Sequence, residues 1–255
     1  MKLKLTWLGN AGWKISSQSF NLLIDPDIEN EPNRISVAEI PKDWFVNVSV
    51  VLITHEHGDH FNRYTAKYLL EKSNCVFVLP PGCVQAAHEI GIPDSRMIIG
   101  HNGKYDNNQS TPIHLPEFNL VITPVPAVHG HILGSIYKHY NVSDCGYLIS
   151  IFDKFKVFHP GDSVLLEEHF ELPEVDVLMV SPTEHNMHVR QSKILIERLN
   201  PKYIFPQHRD TYRITDSNYF WTCAYNKELY EVLDDKQRSC YHTLPQGEVF
   251  DIVVQ

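Results

Sequence analysis

The chemistry of this chain concentrates in the segment Thr54-His55-Glu56-His57-Gly58-Asp59-His60. Four potential ligands, three imidazoles and the Asp59 carboxylate, fall within six residues, directly after the apolar, β-branched run 48–54. A strand fixes the main chain, and the loop beyond it lets side chains converge. His55 and His57, two apart, can point to one side and share one ion. Asp59 and His60 stand where the next helix should begin and can reach a second. Imidazole with carboxylate suits Zn²⁺ first, and Mn²⁺ or Fe²⁺ also. Glu56, inside the same segment, reads as solvent-facing. The chain carries 15 histidines in 255 residues, so most must serve elsewhere and position has to decide which bind metal.

The elements that must hold this group are short and rich in strands. Segments 3–8, 13–16 and 20–24 read as consecutive antiparallel strands, the last running into Asp25-Pro26. Alternating or continuous apolar runs predict further strands at 48–54, 75–79, 96–99, 120–125, 147–152, 155–159, 175–180, 202–205 and 249–253. Helical patterns cover 61–72, 84–90, 191–199 and 225–233. Strands in both halves with helices between them fit two sheets packed face to face with helices outside. Residues 27–46 and 101–118 are polar and irregular, as long functional loops are. No repeat, linker or composition break divides the chain, so residues 1–255 read as a single domain.

The HxHxDH pattern of His55, His57, Asp59 and His60 resembles the signature of the metallo-β-lactamase superfamily. The runs Trp7-Leu8-Gly9-Asn10-Ala11-Gly12 and Leu23-Ile24-Asp25-Pro26 resemble its branch of small metal-dependent hydrolases, which includes ascorbate-6-phosphate lactonase-like proteins. The likeness extends from about Lys4 to Val253. It implies an α/β fold, a four-layer αββα sandwich of two mixed sheets with external helices, holding two divalent metal ions. It also implies the remaining ligands. His129, in Pro126-Ala127-Val128-His129-Gly130, matches the third ligand of the first ion, with His131 as the competing candidate. Asp162, in His159-Pro160-Gly161-Asp162-Ser163, matches the carboxylate that bridges both ions, and His208, in Phe205-Pro206-Gln207-His208, the last ligand of the second. Each follows a predicted strand, as a site at one rim of a sandwich requires. His159 competes weakly, as a residue behind the ligands. Asp25 resembles an aspartate that orients a ligand without binding metal. Asn10 stands where many relatives carry histidine.

The activity implied is hydrolysis of a small ester, lactone or phosphoester, a phosphorylated sugar-acid lactone among them. Two ions that share a water lower its pKa from about 15.7 toward ~7. Asp162 would hold the pair, and Asp59 would accept a hydrogen bond from the nucleophile. In relatives the loop carrying His185 and His188 approaches the site, so either is a candidate proton donor. Arg190, Arg209 and Arg213 read first as solvated charge and second as anion ligands. Tyr219-Phe220-Trp221 reads as core before pocket wall. No GxSxG or GxxxxGK[ST] motif offers another chemistry.

A net charge of −9 argues against a nucleic-acid surface but tolerates a small anionic substrate beside metal. No apolar run approaches membrane-spanning length and no signal segment is visible. The five scattered cysteines read as reduced thiols of a cytoplasmic protein. The expected partner is a small-molecule substrate, with homo-oligomerisation an option. The competing readings are a nuclease or phosphodiesterase of the same superfamily, an iron redox enzyme, and a non-enzymatic metal-dependent binding or sensor protein.

Overall fold

Side chains alternate between the two faces of a strand, and here both faces are buried against different partners. The fold is seen in a computed structural model that describes residues 2–29, 33–35, 41–104, 110–130 and 141–254. The strands are β1 (Lys2–Gly9), β2 (Gly12–Ser16), β3 (Asn21–Ile24), β4 (Val50–Leu52), β5 (Val76–Leu79), β6 (Met97–Ile99), β7 (Ile113–Leu115), β8 (Leu120–Pro126), β9 (Cys145–Ile151), β10 (Phe155–His159), β11 (Val177–Val180), β12 (Tyr203–Pro206) and β13 (Val249–Val253). The helices are α1 (Arg63–Lys72), α2 (Val84–Ile90), α3 (Glu168–Glu171), α4 (Val189–Leu199), α5 (Tyr219–Thr222), α6 (Asn226–Val232) and α7 (Asp235–Ser239).

One sheet runs β13-β1-β2-β3-β4-β5-β6 and the other β12-β11-β10-β9-β8-β7. In β4, Val50 and Leu52 point into the core between the sheets, while Val51 packs outward with Phe61, Ala66 and Leu69 around α1. In β11, Val177 and Met179 face inward, while Leu178 and Val180 meet Leu195, Ile196 and Leu199 of α4. The layers are therefore helix, sheet, sheet, helix, the predicted αββα sandwich. The strands β3 to β6 are parallel, as are β10 to β12, and β1 to β3 pair antiparallel. It follows that β1, β3 and β4 run one way in their sheet, and β8, β10, β11 and β12 share a direction in theirs. Their ends deliver loops to one rim.

The predicted strand over 48–54 is shorter in the structure because the chain leaves the ladder early. Thr54 gives its backbone N–H to the Asp25 side chain instead of a neighbouring strand. Helix α1 starts later than predicted because Asn62 caps it, accepting from Thr65 N–H at 2.8 Å. The loop read at 101–118 contains the unpredicted strand β7, three residues long with an exposed His114 at its centre, too short for alternation to signal. The five cysteines are free. Among the described residues no helix is long and apolar enough to cross a membrane. The competing His131 lies outside the described residues.

His169 of α3 is wholly buried, and its Nδ1 accepts the Leu166 N–H at 3.1 Å. Burial lowers its pKa to about 4, below the ordinary 6.5. The unfolded chain therefore takes up this proton first, and stability is lost as pH falls from about 6.5 to about 4. The expected outcome for His169→Phe is a flatter pH dependence across that window, by on the order of 3 kcal/mol, in urea unfolding beside the wild type.

Candidate metal centre

The site is built from strand ends, and one buried carboxylate ties the first two of them together. Asp25, just past β3, is fully buried and holds a left-handed backbone, φ 42°. It accepts the Thr54 N–H at 2.8 Å, the Thr54 hydroxyl at 2.6 Å and His60 Nδ1–H at 2.7 Å. Because Thr54 spends its only proton on Asp25, its oxygen takes the Nδ1–H of His55 at 2.9 Å. In its neutral form each imidazole is thereby set as the Nδ1–H tautomer, with Nε2 aimed into the site.

His55 Nε2 lies 3.1 Å from His57 Nδ1, and the ring of His129 stands 4.5 Å and 4.9 Å from theirs. These three form one potential chelating group, and Asp59, His60 and His208 form another. Asp162 lies between them. Its Oδ1 is 2.7 Å from His208 Nε2 and 3.5 Å from His60 Nε2, and its Oδ2 is 3.6 Å from His129 Nε2. The structure thus brings together all seven sequence-predicted ligands. Nε2 of His60, His129 and His208 is buried with no well-directed hydrogen bond, a costly state for three neighbouring imidazoles. That donor set suits two divalent ions of the zinc, manganese or iron kind.

The turn that delivers Asp162 has its own requirements. Gly161 has φ +64°, and a Cβ there would come within 2.8 Å of the Cys145 carbonyl oxygen. His159 spans the turn from below. Its Nε2–H donates to the Ala11 carbonyl at 3.0 Å, and its Nδ1 accepts the Gly161 N–H at 3.1 Å. Both ring nitrogens are thus spent on backbone groups, so His159 supports the loop and offers no ligand atom.

The electrostatics are those of a crowded, dry site. Burial drives the His55 pKa well below 6.5, with His60 and His129 adding repulsion. Burial, then His129, lowers His57 to about 4. His60 goes the other way: burial opposes its charge, but Asp162, Asp59 and Asp25 outweigh it and hold the pKa well above 6.5. Burial works to raise Asp162, but His208, His60 and His185 hold it well below the carboxylate range.

Several groups were not legible as site residues. Asn10, at φ 47°, donates from Nδ2 to Asp59 Oδ2 at 2.9 Å, and its carbonyl accepts the His208 N–H at 3.0 Å. It links the two protein segments of the second cluster without a charge. Asn186 Nδ2 donates to Asp162 Oδ1 at 3.1 Å. Asp144 lies 3.6 Å from His129 Nδ1, and burial raises its pKa to about 7. Nothing in the residues around Asp144 marks it; only its place before β9 could have.

The paired candidates His185 and His188 separate. His185 is buried, its Nε2 2.6 Å from Asp162 Oδ2, and Thr183 Oγ1 stands 3.1 Å from its Nδ1. His188 stands just before α4, packs on the Tyr225 ring at 4.6 Å, and lines a different pocket with Leu165 and Arg190. The main chain turns between them, so one loop serves two faces. Arg209 is not solvated, and the anion it holds is the neighbouring Asp210, at 2.8 Å. Arg209 is buried over Trp7 at 4.0 Å and bonded to the Leu244 and Pro206 carbonyls. Phe220 and Trp221 are not core. They line a pocket of about 450 Å³, counting its open mouth, whose other wall is His57, Asp59, His129, Asp162 and His185.

Two His and Asp clusters flank one carboxylate at the rim of an αββα sandwich, an arrangement able to hold metal. A sequence profile of the beta-lactamase superfamily domain matches residues 4–208, and the chain belongs to that superfamily. A metal-dependent hydrolase of Carboxydothermus hydrogenoformans is 28% identical over 218 residues, covering 83% of this chain and 87% of that protein. Among solved structures, Igni18, a metallo hydrolase of Ignicoccus hospitalis, superposes with a TM-score of 0.74 at 20% identity over the whole of both chains. An isothiocyanate hydrolase from Delia radicum gut bacteria does so with 0.72 at 15% identity, over 97% of this chain and 98% of that one. The structural likenesses speak for the fold.

Replacing Asp25 by Asn removes the acceptor that holds His60. The expected outcome for Asp25→Asn is a ~10- to 100-fold loss in metal affinity, with the fold retained, read by competition against a chromogenic chelator.

Proposed function

We propose that this chain is a dinuclear metal-dependent hydrolase of small molecules, cleaving an ester, lactone or phosphoester. The observation that carries the reading is the position of Asp162, with each oxygen turned toward a different histidine cluster. The superfamily match and the hydrolase relatives support it.

His55, His57 and His129 would hold one ion, Asp59, His60 and His208 the other, and Asp162 would span both. Bound divalent ions supply Lewis acidity and an activated water, and zinc is the metal this donor set favours. Asn10 donates to Asp59 Oδ2 and so fixes the orientation of that carboxylate beside His60. Asn186 keeps the Asp162 carboxylate plane from rotating. His185 holds a proton at Nε2 on the pocket side of Asp162 and is assigned to protonate the leaving group. The pocket admits small molecules; its dimensions and the acidic chain give no support to a nuclease.

After metal loading, elemental analysis should find about two ions per chain, and fewer than one would overturn the dinuclear reading. Asp162→Ala should lose both metal retention and turnover. His185→Gln should retain metal and lose turnover by ~10²-fold or more, measured as kcat. Metal uptake should release protons and strengthen as pH rises, because His60 must shed the proton that its three carboxylates hold. Calorimetry in buffers of different ionisation enthalpy checks that sign.

A further inference from the structure

We infer that the non-reacting part of the substrate is uncharged and carries a flat apolar group, an aryl ring or its equivalent, seated on Phe220 and Trp221. This rests on the hydrolase reading for the group that reacts, and concerns the other half of the molecule. The pocket has two walls of opposite character. One consists of the histidines and carboxylates already assigned to metal and proton handling. The other is Phe220 and Trp221, both half-buried, so each keeps apolar surface for a ligand.

The aromatic wall is preorganised. The Phe220 carbonyl accepts the His185 N–H at 3.2 Å, and the His185 and Phe220 rings meet at 5.9 Å and 89°. The wall is therefore registered to the residue that protonates the leaving group. Trp221 packs edge-on against Tyr212 at 5.3 Å, and the Tyr212 hydroxyl donates to buried Asp27 at 3.1 Å. Rigid aromatic faces of this kind bind flat groups at little entropic cost.

Among the described residues, no cationic handle for a phosphate or carboxylate stands opposite. Among the described residues that line the pocket, none is Lys or Arg. Of the arginines in the surrounding segments, three have their place elsewhere, and exposed Arg213 is not among the lining residues. Arg34 is paired with Asp27 at 2.5 Å, Arg209 is buried over Trp7, and Arg190 faces the separate pocket at α4. Asp59 and Asp162 line the pocket and would repel a second anionic group not taken up by metal. On the described walls a sugar-acid phosphate therefore finds its reacting end provided for and its phosphate end not.

Hydroxamates test this without turnover, because their chelating end engages metal and their other end is varied. Benzohydroxamate, acetohydroxamate and phosphonoacetohydroxamate would be titrated into the zinc-loaded protein by calorimetry. Benzohydroxamate should bind ~10- to 100-fold more tightly than acetohydroxamate, as burial of one aromatic ring predicts. Trp221→Ala and Phe220→Ala should each cut that ratio to within a few-fold of one while acetohydroxamate affinity stays as in wild type. Trp221→Phe should preserve most of the preference, which covers the case in which an alanine variant fails to fold. Equal affinity for the two neutral probes, including no measurable binding of either, overturns the inference. So does tightest binding of the phosphonate, or a preference that survives both alanine variants. Hydroxamate selectivity in a protein that hydrolyses nothing would leave this inference standing and remove the hydrolase reading instead.

Discussion

The Asp25 carboxylate is the interaction on which the rest of the site depends. It sits where β3 ends and holds the end of β4 by a backbone N–H, a hydroxyl and an imidazole. Without it the segment after β4 has no reason to leave the sheet at Thr54. The effect then passes outward by single hydrogen bonds. Thr54 sets the tautomer of His55, and Asp25 itself sets that of His60, one imidazole for each cluster. A group with no place in either chelating set thus decides which nitrogen each cluster offers.

The opposite sheet contributes by geometry more than by bonding. Three parallel strands, β10, β11 and β12, end together and present Asp162, the loop of His185 and His208 side by side. Asp162 belongs to this sheet, so the carboxylate that faces both clusters also fastens the two halves of the sandwich at the rim. Asn10 does the same from β1, with one side-chain bond to Asp59 and one main-chain bond to the His208 segment. The aromatic wall is hung from the same loop through the Phe220 carbonyl, so the polar and apolar sides of the pocket share one support.

What could be read from the residues alone follows from what is local. Helix 84–90 and strands 155–159 and 249–253 have the predicted bounds, because apolar periodicity and turn residues decide them. The segment from His55 to His60 announces itself because its donors are neighbours in sequence. His129, Asp162 and His208 are single residues at strand ends, and only resemblance to a family joined them to the rest. What stayed hidden is what tertiary contact decides. Arg209 gives no sequence sign that Trp7, about two hundred residues earlier, will cover its guanidinium. Phe220 and Trp221 are as apolar as any core pair, and only the fold exposes their faces. His185 and His188 look equivalent, and one main-chain turn at the start of α4 sends them to different pockets.

Asn10, Asp25 and His208 all have positive φ, between 42° and 55°, a conformation that side chains other than glycine adopt at a cost of roughly 1 kcal/mol. Each stands at a corner where a strand must turn sharply to aim a side chain at the centre. The sandwich therefore carries a standing strain at the three corners that its metal chemistry would use. Selection for thermal stability alone would push these positions toward glycine, relaxing the backbone and emptying the site in the same step. The aim of the site and the ease of the fold are opposed at the same three residues.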